Sequence, residues 1–288
     1  MSAQPHLSVV VPVYNSQALV ERCIQGLLAQ DYPAEHVEIL LVDNDSTDAS
    51  AAVIARHTGR VRMLTESKRG AYACRNRGVR ESSGAIVAFT DADCVPTPGW
   101  LRTIAAQFED TAVGVVIGRT VVGGSSRNLQ LLDGYEHAKN QYALTSGVKH
   151  MYYGRTNNMA MRRQLLERFP FVERRRGGDT IFVRQVVDAG SCDAVRYVPE
   201  MRVDHFEIRS SLGMLRKHFI YGRSRRLYRH ISHTRPLTHD ERMDAFRRTL
   251  RNERCSAVDT ARLLGLLAGG IVAWNAGHLS ARVWRQEW

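Results

Sequence analysis

Asp91 and Asp93, in Thr90-Asp91-Ala92-Asp93-Cys94, stand one residue apart at the end of the apolar run Ala85-Ile86-Val87-Ala88-Phe89. Carboxylates at the end of a buried strand need water, a partner or a cation to stay ionised. Their hard oxygens suit Mg2+ or Mn2+, and a pair so placed can hold such an ion beside a phosphate. A solvated acidic turn has the same spelling, so the pair gains meaning only from other clusters.

Four clusters accompany it. Val11-Pro12-Val13-Tyr14-Asn15 offers a ring that can stack on a nucleobase, or an ordinary strand-to-helix turn. Val42-Asp43-Asn44-Asp45-Ser46-Thr47-Asp48 offers acceptors for a uracil-like imide edge or a ribose hydroxyl, and equally a helix cap. Lys68-Arg69-Gly70 and Arg75-Asn76-Arg77-Gly78 bring planar, permanently charged donors suited to phosphate. Gly177-Gly178-Asp179 opens a helical stretch with a carboxylate that could be a cap, and His205, a lone histidine that could be structural, follows the strand-like run 194–203.

The elements that would position these residues alternate. Leu7 to Tyr14 and Val37 to Val42 are continuous apolar runs, as in strands buried on both faces. Between them Leu19, Val20, Cys23, Ile24, Leu27 and Leu28 recur at helical spacing. Further helices are predicted to His57, over 71–81 and after Pro98, with strands near 61–64, 85–89 and 111–122. Trp100 reads as a packing residue. This rhythm predicts an open parallel sheet with helices on both faces, whose ligands sit at the carboxyl ends of the strands. The clusters after Tyr14, Val42 and Phe89 fall at such ends.

The last part differs. Ser210 to Ile231 and Asp240 to Arg251 read as basic helices, and Ala261 to Ala276 as a buried or interfacial helix, its apolar run being short for a membrane span. The chain of 288 residues carries a net charge of +11, most of it between Arg209 and Arg254. Nucleic acid, an anionic membrane surface or a phosphorylated substrate could answer that charge, as could a merely solvated face. The five cysteines fall in no disulfide or zinc spacing, which points to reduced thiols in the cytoplasm. Met1 to His6 shows no secretory pattern.

Taken together, VPVYN (Val11 to Asn15), VDNDSTD (Val42 to Asp48), ACRNRG (Ala73 to Gly78), FTDADCVPTPGWL (Phe89 to Leu101), GRTNNMAMRR (Gly154 to Arg163), GGD (Gly177 to Asp179) and VDH (Val203 to His205) resemble the family 2 glycosyltransferases. The resemblance runs in order from residue 7 to about 206. It implies an α/β GT-A fold, Rossmann-like and mostly parallel, over 1–206, followed by a basic helical region over 207–288. It implies an inverting sugar transfer from a nucleoside-diphosphate donor with a divalent metal, Mn2+ or Mg2+. Pro12, Tyr14, Asp43 and Asn44 would then line the base and ribose, and Arg75 the base or diphosphate. Asp91 would approach the ribose or metal, Asp93 and His205 would be metal ligands, and Asp179 the catalytic base. Asn157 and Asn158 would border the donor sugar and acceptor.

Two positions depart from the pattern. Asn44 replaces one of two common acids, and Gly178 stands where many members carry Glu. The expected acceptor is a glycan or lipid-linked hydroxyl, with the enzyme cytoplasmic and peripheral at the inner face of the membrane, on the strength of its basic helices. Gly178 leaves open a non-catalytic binding subunit. A nucleic-acid-binding protein would account for the arginines but not for acid clusters at strand ends, so nucleic acid is not an expected partner. A sugar-nucleotide-forming nucleotidyltransferase would need a glycine-rich basic loop after the first strand, where none is found.

Overall fold

The computed structural model describes residues 4–122, 124, 126–208, 210–232 and 234–283. Met1 to Ala3 and Arg209 lie outside the described residues, as do the side chains of Arg226, Tyr228 and Ile231. Two compact units are present, one built from Met1–Val121 and Tyr152–His205, the other from Val122–Met151 and Phe206–Trp288.

The first unit is organised by β1 (Leu7–Val13), β2 (Val37–Asp43), β3 (Arg62–Thr65) and β4 (Ile86–Thr90). Among them run α1 (Val20–Leu28), α2 (Ser50–Ala55) and α3 (Ala71–Glu81). It continues with β5 (Cys94–Pro96), α4 (Trp100–Gln107), β6 (Val115–Val122), β7 (Asn158–Arg162), α6 (Arg163–Arg168), α7 (Gly178–Ala189) and β8 (Val195–His205). Between β6 and β7 the chain leaves this unit to form α5 (Arg127–Leu144).

The eight strands form one sheet in the order β3-β2-β1-β4-β7-β6-β8-β5. The expected parallel arrangement covers only β3, β2, β1 and β4; β4–β7, β6–β7 and β5–β8 pair antiparallel. The βαβ rhythm that signals parallel pairing stops after β4, and β5 follows it within a few residues, too few for a crossover helix. Burial explains the apolar runs: Val9, Val11, Leu41 and Ala88 join Ile24, Trp100 and Ile104 in one core. Each fully buried branched side chain contributes about 1.5–3 kcal/mol relative to exposure.

Chain order reverses at β1, which lies between β2 and β4, and this opens a crevice at the carboxyl ends of the strands. Pro12 falls there for a physical reason. It has no N–H for a ladder, and pairing with β4 ends at Val10↔Phe89 while pairing with β2 continues to Val13↔Asp43.

The second unit is helical: α5, α8 (Ser211–Ser232), α9 (His239–Asn252) and α10 (Ala257–Val283). It is not a simple block after 206, because Leu131, Tyr135 and Ala138 of α5 pack with Ala245 and Leu263 of the later helices. The apolar run expected as a buried or interfacial helix is part of the 27-residue α10. Burial is not what it shows. Among the described residues α10 alone is long and apolar enough to cross a membrane by length and composition, and only 11% of its most apolar window is buried.

Candidate active site

The crevice is lined by Pro12 and Val13 at the end of β1, Tyr14 and Ser16 after it, Asn44 after β2, Ala71, Cys74 and Arg75 of α3, and Asp91 to Asp93 after β4. Of the residues expected at the donor, Pro12, Tyr14, Asn44, Arg75, Asp91 and Asp93 meet in this one cleft.

Its rim is aromatic and cationic. Tyr14 is 49% exposed, and the Arg69 guanidinium lies 4.6 Å from its ring centroid. Beneath it Asp43 is buried; Oδ2 accepts from Ser46 N at 3.2 Å, while Oδ1 has no hydrogen-bond partner among the described residues. A buried acceptor of this kind is costly until something donates to it. Asn44 differs from its expected role. Its Nδ2 donates to the carbonyls of Glu66 and Lys68 at 2.6 and 2.9 Å, and its Oδ1 accepts from Gly70 N at 2.8 Å. The amide is spent on closing the loop that leads into α3, so Asn44 reaches the cleft as scaffold.

Arg75 is 4% exposed and donates from Nη2 to Asp91 Oδ1 at 2.5 Å. The first aspartate of the pair is thus charge-balanced by protein. The second is met by an imidazole: His205 Nε2 lies 3.3 Å from Asp93 Oδ2. The register dictates this meeting, because β5 and β8 pair Cys94 with His205. Ligand atoms of Asp93, Cys94 and His205 all lie within 4.8 Å of one another. Burial, reinforced by Asp93 and Asp91, pushes the Cys94 thiol well above its ordinary range, and sulfur is a soft match for a hard ion. A carboxylate and an imidazole at a half-buried cleft wall do suit Mn2+ or Mg2+, so the donor set fits the expected ion through Asp93 and His205.

Asp179 sits in the first turn of α7, after Gly177 in the left-handed region (φ 81°). Thr180 N donates to its Oδ1 at 2.8 Å and Thr156 N to its Oδ2 at 3.3 Å. Asp179 does not itself line the cleft. Tyr72 lies against both Asp179 and Arg75: it is close enough to Asp179 to feel its charge, and the Arg75 guanidinium lies 5.1 Å from its ring centroid. Burial, then the Asp179 charge, raise the Tyr72 hydroxyl well above its ordinary range, so it remains a donor. Asp179, Tyr72, Arg75 and Asp91 are therefore neighbours in that order, ending beside Asp93 and His205.

Tyr72 is a neighbour of the site that the sequence motifs missed. It lies three residues before Arg75, hence on the same helical face, which was the available signal. Its ring also explains Gly178: a Cβ there would come 3.0 Å from Tyr72 ring carbons and 2.8 Å from the Val172 carbonyl oxygen. Phe171 packs on Tyr72, Phe89 and Phe182 at centroid distances of 5.6, 5.3 and 5.3 Å. Asn76 fixes this segment by exchanging hydrogen bonds with the Phe171 backbone at 2.8 and 3.1 Å.

The two asparagines before β7 divide. Asn157 is half-buried and accepts from Thr90 Oγ1 through its carbonyl at 3.0 Å, beside the acid pair. Asn158 is fully buried and does not reach a donor. Its Oδ1 accepts from Trp100 Nε1, and its Nδ2 donates to the carbonyls of Arg119 and Met201, each at 2.8 Å. Those three bonds tie α4, β6 and β8 together, so Asn158 is a core pin.

The model of glycosyl transferase family 2 matches residues 8–169. Glycosyltransferase AglE of Haloferax volcanii is 29% identical over 199 residues, 66% of this chain and 64% of the relative, so the match spans less than two thirds of that protein. The mannosyltransferase PcManGT from Pyrobaculum calidifontis, solved with GDP-Man and Mn2+, superposes with a TM-score of 0.66 at 18% identity, covering 99% of this chain and 89% of the other. Glucosyl-3-phosphoglycerate synthase from Mycobacterium tuberculosis, solved with Mn2+, UDP-glucose and phosphoglyceric acid, gives 0.53 at 20% identity, covering 73% and 74%. At such identities the likeness speaks for the fold alone, and that fold is GT-A.

Proposed function

The chain belongs to glycosyl transferase family 2, and on that footing we propose that it moves a sugar from a nucleoside-diphosphate donor to an acceptor hydroxyl with inversion at the anomeric carbon. One observation carries the reading: at the switch-point crevice, one aspartate is paired with a buried arginine and its neighbour with a histidine, beneath an exposed tyrosine. The solved neighbours that hold nucleotide sugars with Mn2+ support the donor class.

In this reading the Tyr14 ring stacks on the base and Asp43 Oδ1 accepts from its edge. Arg75, already positioned by Asp91, faces the diphosphate. Asp93 and His205 hold the divalent ion, which when bound supplies positive charge against the charge developing on the departing diphosphate. Asp179 takes the acceptor hydroxyl proton. The acceptor oxygen bonds the anomeric carbon as the bond to the phosphate oxygen breaks, from opposite faces. Thr180 N–H and Thr156 N–H keep the Asp179 carboxylate oriented for that step. The acceptor class is a glycan or lipid-linked hydroxyl, and the enzyme works in the cytoplasm.

A non-catalytic binding subunit is the second reading, drawn from Gly178. Two experiments decide. A thermal-shift panel of UDP-, GDP-, dTDP- and CDP-sugars, with and without Mn2+, should select one donor, and its stabilisation should need the ion. Asp179→Asn should then abolish transfer of that sugar while leaving donor binding nearly unchanged. Normal turnover by Asp179→Asn removes the base assignment, and no turnover by the wild type favours the binding subunit.

A further inference from the structure

Nearly all the net charge belongs to the helical unit. Residues 122–151 and 206–288 hold 19 Lys and Arg against 9 Asp and Glu, or +10 of the chain's +11. The same unit carries α10, whose side chains are arranged opposite to those of a water-soluble helix. Leu263, Gly270, Gly277 and Ala281 are buried, whereas Val258, Leu264, Ile271, Val272 and Leu279 are 51–68% exposed. The exposed set recurs at six- and seven-residue steps, close to two helical turns, with Ile271 and Val272 adjacent, and so lies on one face as a stripe. From Val258 to Leu279 it runs about 32 Å at 1.5 Å per residue.

The packed side of α10 is made of close backbone contact. A Cβ at Gly277 would meet the Phe219 carbonyl oxygen of α8 at 1.9 Å, and one at Gly222 of α8 would meet that of Trp274 at 2.0 Å. Small residues at the helix crossing with large aliphatic residues outward is how helices pack in lipid, where apolar burial between helices gains nothing. In water the outward stripe is an unfavourable apolar patch.

We propose that this stripe beds into the headgroup–acyl boundary of an anionic bilayer, the helix lying in the membrane plane while basic side chains of the same unit meet lipid phosphates. Lipid fits better than a second copy of the chain, because a copy would bring another +10 unit against this one. Lying fits better than spanning, because α8, on which α10 packs, carries Arg216, Lys217, Arg223 and Arg225 and would have to enter the acyl core with it. The inference stands apart from the catalytic reading and can fail without it.

The test is co-sedimentation of the full chain with vesicles of phosphatidylcholine alone or with about 30 mol % phosphatidylglycerol. Wild type should pellet with the anionic vesicles at about 0.05 M salt, and less at about 0.5 M as charge attraction is screened. Leu264→Glu with Val272→Glu, both on the exposed face, should cut the bound fraction about tenfold or more with an unchanged thermal midpoint. A milder probe is Val272→Cys carrying an environment-sensitive fluorophore, which should shift to the blue on anionic vesicles. Absent binding at low salt, equal binding by the double variant, or no fluorophore shift would overturn the proposal. A dimer that the double variant dissolves would give the stripe to a second copy, and alkaline-carbonate-resistant insertion would make α10 a span; either result also overturns it.

Discussion

Replacing Gly178 by Ala sets two effects of opposite sign against each other. Alanine in the first turn of α7 should stabilise by about 0.5–1 kcal/mol, because glycine loses more backbone entropy on folding. Nothing in the backbone forbids it, since Gly178 is not among the glycines with positive φ. Space does: the added methyl would lie 2.8 Å from the Val172 carbonyl oxygen and 3.0 Å from the Tyr72 ring. A backbone oxygen yields less readily than a side-chain tip, and overpacking of this kind costs about 1–3 kcal/mol. With a backbone oxygen as the nearest obstacle the cost falls in the upper half of that range, and crowding should win by about 1–2 kcal/mol. In a unit of this size that lowers the thermal midpoint by about 2–8 °C. Differential scanning calorimetry reads it directly. In a Tyr72→Ala background the penalty should shrink by about 0.5 kcal/mol or more, because one of the two obstacles is gone. Gly178→Glu, which puts a larger side chain into the same space, should be less stable still and no more active. If Gly178→Ala melts at or above the wild type, helix propensity outweighs crowding and the Tyr72 ring is not the reason glycine stands there.

Tyr72→Phe keeps the ring packing and the Arg75 contact but removes the one polar group Tyr72 holds near Asp179; if that hydroxyl serves the base, kcat falls roughly tenfold with donor KM unchanged. A rise in KM at constant kcat would place Tyr72 at the donor instead. Asn158→Ala leaves the Trp100 indole N–H and two carbonyls without partners in the core, and should cost roughly 3 kcal/mol or more in chemical denaturation. If it leaves stability intact and raises donor KM, Asn158 touches donor after all. For Glu38, burial disfavours the charged form, but hydrogen bonds from Ser83, Ser8 and Gly84 outweigh it and bring the carboxyl down to about 2. Its stabilisation is complete above the ordinary value of 4.5 and is lost as pH falls toward about 2. Acid titration of Glu38→Gln should be flatter than wild type across that window and start from lower stability; parallel curves would show that Glu38 carries no such linkage.

The parallel half of the sheet was legible because strands buried on both faces are apolar throughout, and the loops after Tyr14, Val42 and Phe89 broke that pattern at one end of each strand. The antiparallel half was not legible: β5 is only three residues long, and its pairing with β8 spans about a hundred residues of sequence. Composition marked Asp91, Asp93, Arg75 and His205 as unlikely core material, but amides are ambiguous. Asn44 and Asn158 satisfy buried backbone groups as readily as they would bind a sugar, and only the partners at 2.6–2.9 Å decide between those roles. Tyr72 was hidden for the converse reason, since a buried tyrosine reads as packing until a carboxylate and a guanidinium are found beside it. The outward stripe of α10 was hidden because an apolar run gives no sign of which side the rest of the chain covers.

The most direct test of Asp93 and His205 as the metal pair beneath a nucleotide is calorimetric titration of the matching nucleoside diphosphate with and without Mn2+, using wild type and Asp93→Asn. The expected result is wild-type binding at least about tenfold tighter with Mn2+, and no such gain in the variant. Equal affinity with and without the ion in wild type, or a full Mn2+ effect in Asp93→Asn, would contradict it.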